Sequence, residues 1–192
     1  MPRLWNDTIE THRQAVRDAT LDAAAALIAE KGLAGTTMSA VAERTGIGRA
    51  TLYKYFPDVE AVVSAWHERQ VHQHLETLGA LHAEHADPGA RLAAMLEAYA
   101  LAVNEASGHA DWALAGLLHQ GAHVAEAEVH LRHMVGAQMQ EAAASGAVRR
   151  DVPADELVSY ALTALSAASR LPSKTAVKRL VAVTLSGLRP DR

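Results

Sequence analysis

Thr36-Thr37-Met38-Ser39-Ala40-Val41-Ala42-Glu43-Arg44-Thr45-Gly46-Ile47-Gly48-Arg49-Ala50-Thr51-Leu52-Tyr53-Lys54-Tyr55-Phe56, closed by Pro57, is the stretch that decides the fold. Thr37 stands three residues before the Ala40-Val41-Ala42 run, where a threonine side-chain oxygen caps the first turn of a helix. That helix stops at Thr45-Gly46, and a second short one starts at Arg49 after Ile47-Gly48. The two span about 38–45 and 49–55, and the turn between them needs a residue free to take positive φ, which glycine does at no steric cost. Ala42 and Ile47 are small and apolar where the two helices must approach. A short helix pair across a tight glycine-containing turn is a helix-turn-helix, whose second helix enters the major groove of DNA.

Outward from this pair the chain continues to read as helix. Asp7 or Thr8 can cap a first helix with apolar positions at Val16, Ala19, Ala23, Leu27 and Ile28, stopped by Lys31-Gly32. Asp58 caps a fourth helix expected to reach about Leu78, and His82 to Gly89 reads as a polar loop. Further helices are expected at roughly 88–106, 110–120, 122–145, 153–170 and 173–188, punctuated by Gly and Pro. Alanine fills 41 of 192 positions, while Phe, Trp and Tyr make up 4%, a composition that favours helix over strand. The expectation is an all-α chain of about nine helices, with a helix-turn-helix domain over 1–57 and a helical bundle over 58–192.

Composition also excludes several classes. With no cysteine there is no disulfide, thiol nucleophile or Cys-based zinc site. No apolar run approaches the ~20 residues of a membrane span, and the start Met1-Pro2-Arg3-Leu4-Trp5 has no signal-peptide core, so a cytoplasmic protein with no membrane partner is expected. The net charge is −4. Residues 1–57 carry a net +1 and residues 58–192 a net −5, so the helix-turn-helix segment is the less acidic part. No GxSxG, P-loop, GxGxxG or HExxH motif is present, and neither an enzyme nor a cofactor is expected.

The run from Thr36 to Phe56, with Ala23-Ala24, Leu27 and Gly32 before it, closely resembles the DNA-binding signature of TetR-family transcriptional regulators. The resemblance covers residues 13–65, and the rest of the chain is similar only in length and helical character. It implies a ligand-released homodimeric repressor, with a DNA reader at the N-terminus and an effector-binding, dimerising domain after it. Two positions depart from the family pattern. Gly48 replaces the usual serine-like cap of the third helix, and Val59 replaces a lysine that customarily contacts phosphate.

Residue chemistry assigns roles on this frame. Arg49 and Thr51 open the third helix, where side chains reach base edges, and arginine can pair bidentately with guanine O6 and N7. Tyr53, one turn on, is placed for a base or a phosphate. Thr37, Lys54 and Tyr55 match family positions that grip the DNA backbone, and Arg44 can add a charge; such contacts position the reader without specifying sequence. The structural alternatives are packing of Tyr53 and Tyr55 against the first helix and a solvated Arg44. Leu52 and Phe56, four apart, are expected in the core.

In the last two helices Leu157, Ala161, Ala164, Leu165 and Ala168, then Val177, Leu180, Val181, Thr184, Leu185 and Leu188, form broad apolar stripes. Either the two helices bury each other, or, as the family resemblance implies, Leu157, Ala161, Ala164, Leu165, Ala168, Val177, Val181, Thr184 and Leu188 form the face of a two-fold four-helix bundle. Among so much alanine the large side chains Trp66, Met95, Tyr99, Trp112, Met134, Met139 and Tyr160 either fill the core or line a cavity for a small-molecule effector. Eleven histidines raise a metal-responsive alternative. His119 and His123, then His130 and His133, sit at one-face spacings with Glu126 four before His130, but a zinc site needs three or four ligands and apolar Val124, Ala125 and Ala127 stand among them. A helix-turn-helix protein controlled by a protein partner is the remaining alternative.

Overall fold

A computed structural model describes residues 3–107 and 122–190 of the chain, which fall into one unit up to Gln70 and a second from Val71 onward. In the first, α1 (Arg3–Lys31) precedes α2 (Met38–Thr45) and α3 (Arg49–Leu52), and the start of α4 (Val59–Glu84) completes it. Helix α1 begins before Asp7, because Arg3-Leu4-Trp5-Asn6 contains neither Gly nor Pro to stop a helix. Leu21, Ala24 and Leu27 recur on its inner face and pack with Met38, Val41, Leu52, Phe56 and Val62. Each buried leucine or phenylalanine there contributes roughly 1.5–3 kcal/mol.

The turn between α2 and α3 closes through local bonds. Thr37, in extended backbone, accepts from the Ala40 N–H at 3.2 Å, as expected of the cap. Gly46 has φ +69. Thr45 Oγ1 donates to the Val41 carbonyl at 2.9 Å and accepts from the Ile47 N–H at 3.2 Å, bracketing that glycine. Regular helix in α3 is shorter than the expected 49–55. After Leu52 the backbone tightens, with Lys54 N–H donating to Thr51 O (3.1 Å) and Tyr55 N–H to Leu52 O (2.9 Å). Pro57 disfavours the helical region for Phe56 before it, so the segment does not resume as helix. Asp58 Oδ1 then accepts from Ala61 N–H at 2.8 Å and opens α4.

Helix α4 runs on to Glu84 rather than ending near Leu78, so only residues 85–87 remain of the expected polar loop. Asp87 is itself a cap: its carboxylate accepts from Ala90 N–H at 2.7 Å, and Pro88 opens α5 (Pro88–Ser107). The second unit continues with α6 (Ala122–Ala144), α7 (Ala154–Ser166), a 3-10 turn (Ala167–Arg170) and α8 (Lys174–Leu188). The expected helix 110–120 lies outside the described residues. Eight α-helices and no strand are present among those described. Asn104 on α5 donates to the carbonyls of Ala168 (2.8 Å) and Leu171 (2.9 Å), satisfying the end of the 3-10 turn. Arg91 donates to Glu141 at 2.7 Å and ties α5 to α6.

The stripes on α7 and α8 are core. Leu157, Ala161, Leu165, Ala168, Val177, Val181, Thr184 and Leu188 are all buried within this one chain, and Ala164 is partly so. They pack with Leu92, Met95 and Leu96 of α5 and Val135 and Met139 of α6. Their assignment to a dimer face is therefore corrected: a side chain already enclosed by its own bundle has no surface to offer a second copy. The sequence showed the stripes but not what they face.

Candidate nucleic-acid interface

The α1–α2–α3 core leaves one set of side chains outside. Leu52 is fully buried and Phe56 is 3% exposed, which fixes the segment between them. From this anchored segment Arg49, Tyr53 and Lys54 project into solvent, with Tyr53 48% exposed. Thr37 is exposed at the start of α2, and Thr51 is half-buried. Tyr55 packs its ring against the core, so of the two tyrosines only Tyr53 is outward-facing. Arg49 and Lys54 make no ion pair with another described residue, leaving two uncompensated cations beside an aromatic ring. Such a surface suits phosphate oxygens and base edges.

Arg44 is placed differently. Its guanidinium donates through both terminal nitrogens to Glu30 of α1, at 2.7 and 2.6 Å. That hydrogen-bonded pair holds the Glu30 carboxyl below the usual carboxylate range and pushes Arg44 up. Its charge is already matched by a carboxylate, and it links α1 to α2. The partner was not visible in the sequence, because Glu30 and Arg44 lie 14 residues apart on different helices.

The seven side chains considered for an effector site take several places. Met95 and Met139 are fully enclosed in the core of the second unit. Tyr99 and Met134 pack partly buried against that core; burial, and then the Glu128 charge, push the Tyr99 phenol up. Trp66 packs on the core of the first unit, and Trp112 lies outside the described residues. Tyr160 is 44% exposed. Its hydroxyl occupies the space of a side chain at Gly187, where a Cβ would come within 2.6 Å, so the glycine lets this ring lie down on α8. A groove of about 550 Å³ runs between α6 and α7, lined by Arg132, His133, Gln140, Asp155, Glu156 and Ser159 among others, and by none of these seven. Among the described residues no three His, Asp or Glu side chains come together to hold a metal ion. His119 and the side chain of His123 lie outside the description. No helix among the described residues is long and apolar enough to cross a membrane.

Comparison with known proteins agrees with this geometry. Residues 21–65 match the model of bacterial regulatory proteins of the tetR family, and residues 87–190 match the model of the SbtR-like transcriptional regulator C-terminal domain. No curated protein matches the chain. Among solved structures, a TetR transcriptional regulator from Streptomyces coelicolor is 28% identical, with a TM-score of 0.64 over 92% of this chain and 99% of that one. The ketosteroid transcriptional regulator KstR2 of Mycobacterium tuberculosis is 20% identical, with a TM-score of 0.65 over 91% and 95%. FadR from Bacillus subtilis, solved in complex with stearoyl-CoA, is 15% identical, with a TM-score of 0.65 over 89% and 98%. With its helix-turn-helix and more than half its length matched by family models, the chain belongs to the TetR family of DNA-binding transcriptional regulators.

Proposed function

We propose that this regulator is a ligand-released homodimeric repressor, working in the cytoplasm and not as an enzyme. The observation that carries the DNA half of the reading is the exposed Arg49-Tyr53-Lys54 surface on a segment pinned by Leu52 and Phe56. Arg49 and Thr51 read base edges; Thr37, Tyr53 and Lys54 hold the backbone, joined by the hydroxyl end of the half-buried Tyr55. Arg44 acts in this reading as a link between α1 and α2. Functionally, residues 1–57 read DNA, while 58–192 bind effector and dimerise.

The second copy docks on the outward face of α7 and α8. Tyr160, Thr163 and Ala167 recur there at helical spacing, opposite the buried stripe, and Val183 and Gly187 continue the face on α8. Val183, 68% exposed, and Tyr160, 44% exposed, give this face two large apolar side chains rather than a single scattered one. Two copies give two readers, as an operator of two half-sites requires.

The effector is an organic, mostly apolar molecule bound by the alanine-rich second unit, with Tyr99 and Met134 its nearest candidates. Fold relatives whose names refer to ketosteroids and stearoyl-CoA support that class. Release requires that the effector bind the DNA-incompetent state better, by a coupling of typically ~1–3 kcal/mol. Helix α4 is the chain's continuous connection from the first unit into the second.

Binding of a selected duplex by fluorescence anisotropy tests the reading. Arg49→Ala is expected to lose ~1–3 kcal/mol and relax preference at one base position per half-site. Lys54→Ala is expected to weaken all sequences alike. Unchanged affinity and preference in both variants would overturn the assignment of the reader.

A further inference from the structure

Arg17 lies on α1, before the residues matched by the N-terminal family model, and nothing in the 36–56 stretch points to it. Its guanidinium carbon stands 5.3 Å from the centroid of the Phe56 ring, within cation–π range. Phe56 is 3% exposed and held by the core, so the platform is fixed. The carboxylates near Arg17 on α1 are engaged elsewhere. Asp18 accepts from Arg69 and Gln14, Asp22 accepts from Arg69, and Glu10 pairs with Arg13. Arg17 itself is half-exposed and makes no hydrogen bond or ion pair with another described residue.

We propose that Arg17 is a DNA-backbone contact, a phosphate clamp held in orientation by Phe56. A guanidinium stacked on a ring uses its face for the stack and keeps its N–H edge free. That edge is the fork that matches two oxygens of a phosphate. Stacking also orders a long side chain in advance, so less rotamer freedom is lost when the phosphate arrives. Phe56 closes the segment carrying Tyr53 and Lys54, so the clamp flanks the reader from α1. A lone arginine on a soft surface would be a solvated charge; an arginine oriented by a buried ring, with no carboxylate to neutralise it, is a preformed anion site. The proposal rests on the DNA-binding reading above.

The test is the salt dependence of full-length protein on a selected duplex. Arg17→Gln keeps a planar group over Phe56 but removes the charge. It is expected to reduce the slope of log K against log salt by about 0.9 for each Arg17, so by about 1.8 for a dimer on two half-sites, and to weaken all sequences equally. Between 50 and 200 mM salt, the wild-type advantage of the dimer then shrinks roughly 12-fold. Arg17→Lys is expected to restore the slope, since the charge returns. Thermal melts of the same variants identify any loss of folding. An unchanged slope in Arg17→Gln overturns the clamp, even if the melt drops, because a packing role moves stability and not counterion release. A slope in Arg17→Lys as low as in Arg17→Gln also overturns it. If the wild type binds no duplex at all, the regulator reading fails instead.

Discussion

Two substitutions on the last helices, Leu165→Ala and Val183→Asp, separate core from interface. Leu165 on α7 is fully buried among α5 and α6 side chains. Truncating such a leucine removes its transfer energy and leaves a cavity, at a cost of about 2–5 kcal/mol. For a chain of this length each kcal/mol shifts the melting temperature by about 2–4 °C, so a drop of about 4–20 °C is expected. Val183 is 68% exposed, and as a monomer the chain should tolerate aspartate there within about 0.5 kcal/mol. Against a second copy the same carboxylate would be enclosed without a partner, and two-fold symmetry would enclose it twice. Sedimentation velocity and circular dichroism melts at several protein concentrations distinguish the two. Wild type should sediment as a dimer whose melt rises with concentration, by mass action. Val183→Asp should sediment as a helical monomer with a concentration-independent melt, while Leu165→Ala should be a dimer that melts early. A dimeric Val183→Asp would refute the outward face. A stable but monomeric Leu165→Ala would refute the core assignment and return the stripe to the interface.

Gly46 has φ +69 with no atom within 4 Å of where a Cβ would stand, so Gly46→Ala should cost only the left-handed backbone penalty, ~1–2 kcal/mol in urea unfolding. Gly46→Asn should cost less, and equal losses for both would contradict a conformational cause. Glu30 should titrate below an ordinary glutamate in carbon-detected NMR, and Arg44→Ala should return it upward. Since the folded carboxyl is depressed, the pair's contribution is present above the usual glutamate range and fades as pH falls through the lowered value. Glu30→Gln should therefore flatten the acid limb of the stability profile, and an unaltered limb would show that the pair adds nothing.

Where the determinants were local, the sequence was readable. Thr37, Gly46 and Asp58 each do their work within three residues, and each capped or ended the expected element. Pro57 marks where the segment must end, but not that regular helix in α3 already stops at Leu52. Asp87-Pro88-Gly89 has the composition of a loop, yet the aspartate is the cap of α5 and α4 runs to within three residues of it. Longer-range pairings were not legible. A stripe such as Leu157-Ala161-Leu165 has the same period whether it faces its own bundle or another copy, and only the placement of α5 and α6 decides. Arg44 reads as an available charge because Glu30 sits on another helix, and no local pattern joins Arg17 to Phe56, which lies far along the chain.

Selection of bound sequences from a pool of random duplexes, with the wild-type protein, tests the DNA-reading claim most directly. The expected result is an enriched inverted repeat, with half-sites about one helical turn apart or a multiple of it. Binding to that repeat should fall steeply as salt rises. No enriched sequence after repeated rounds, or binding equal to that of unselected duplex, would contradict it.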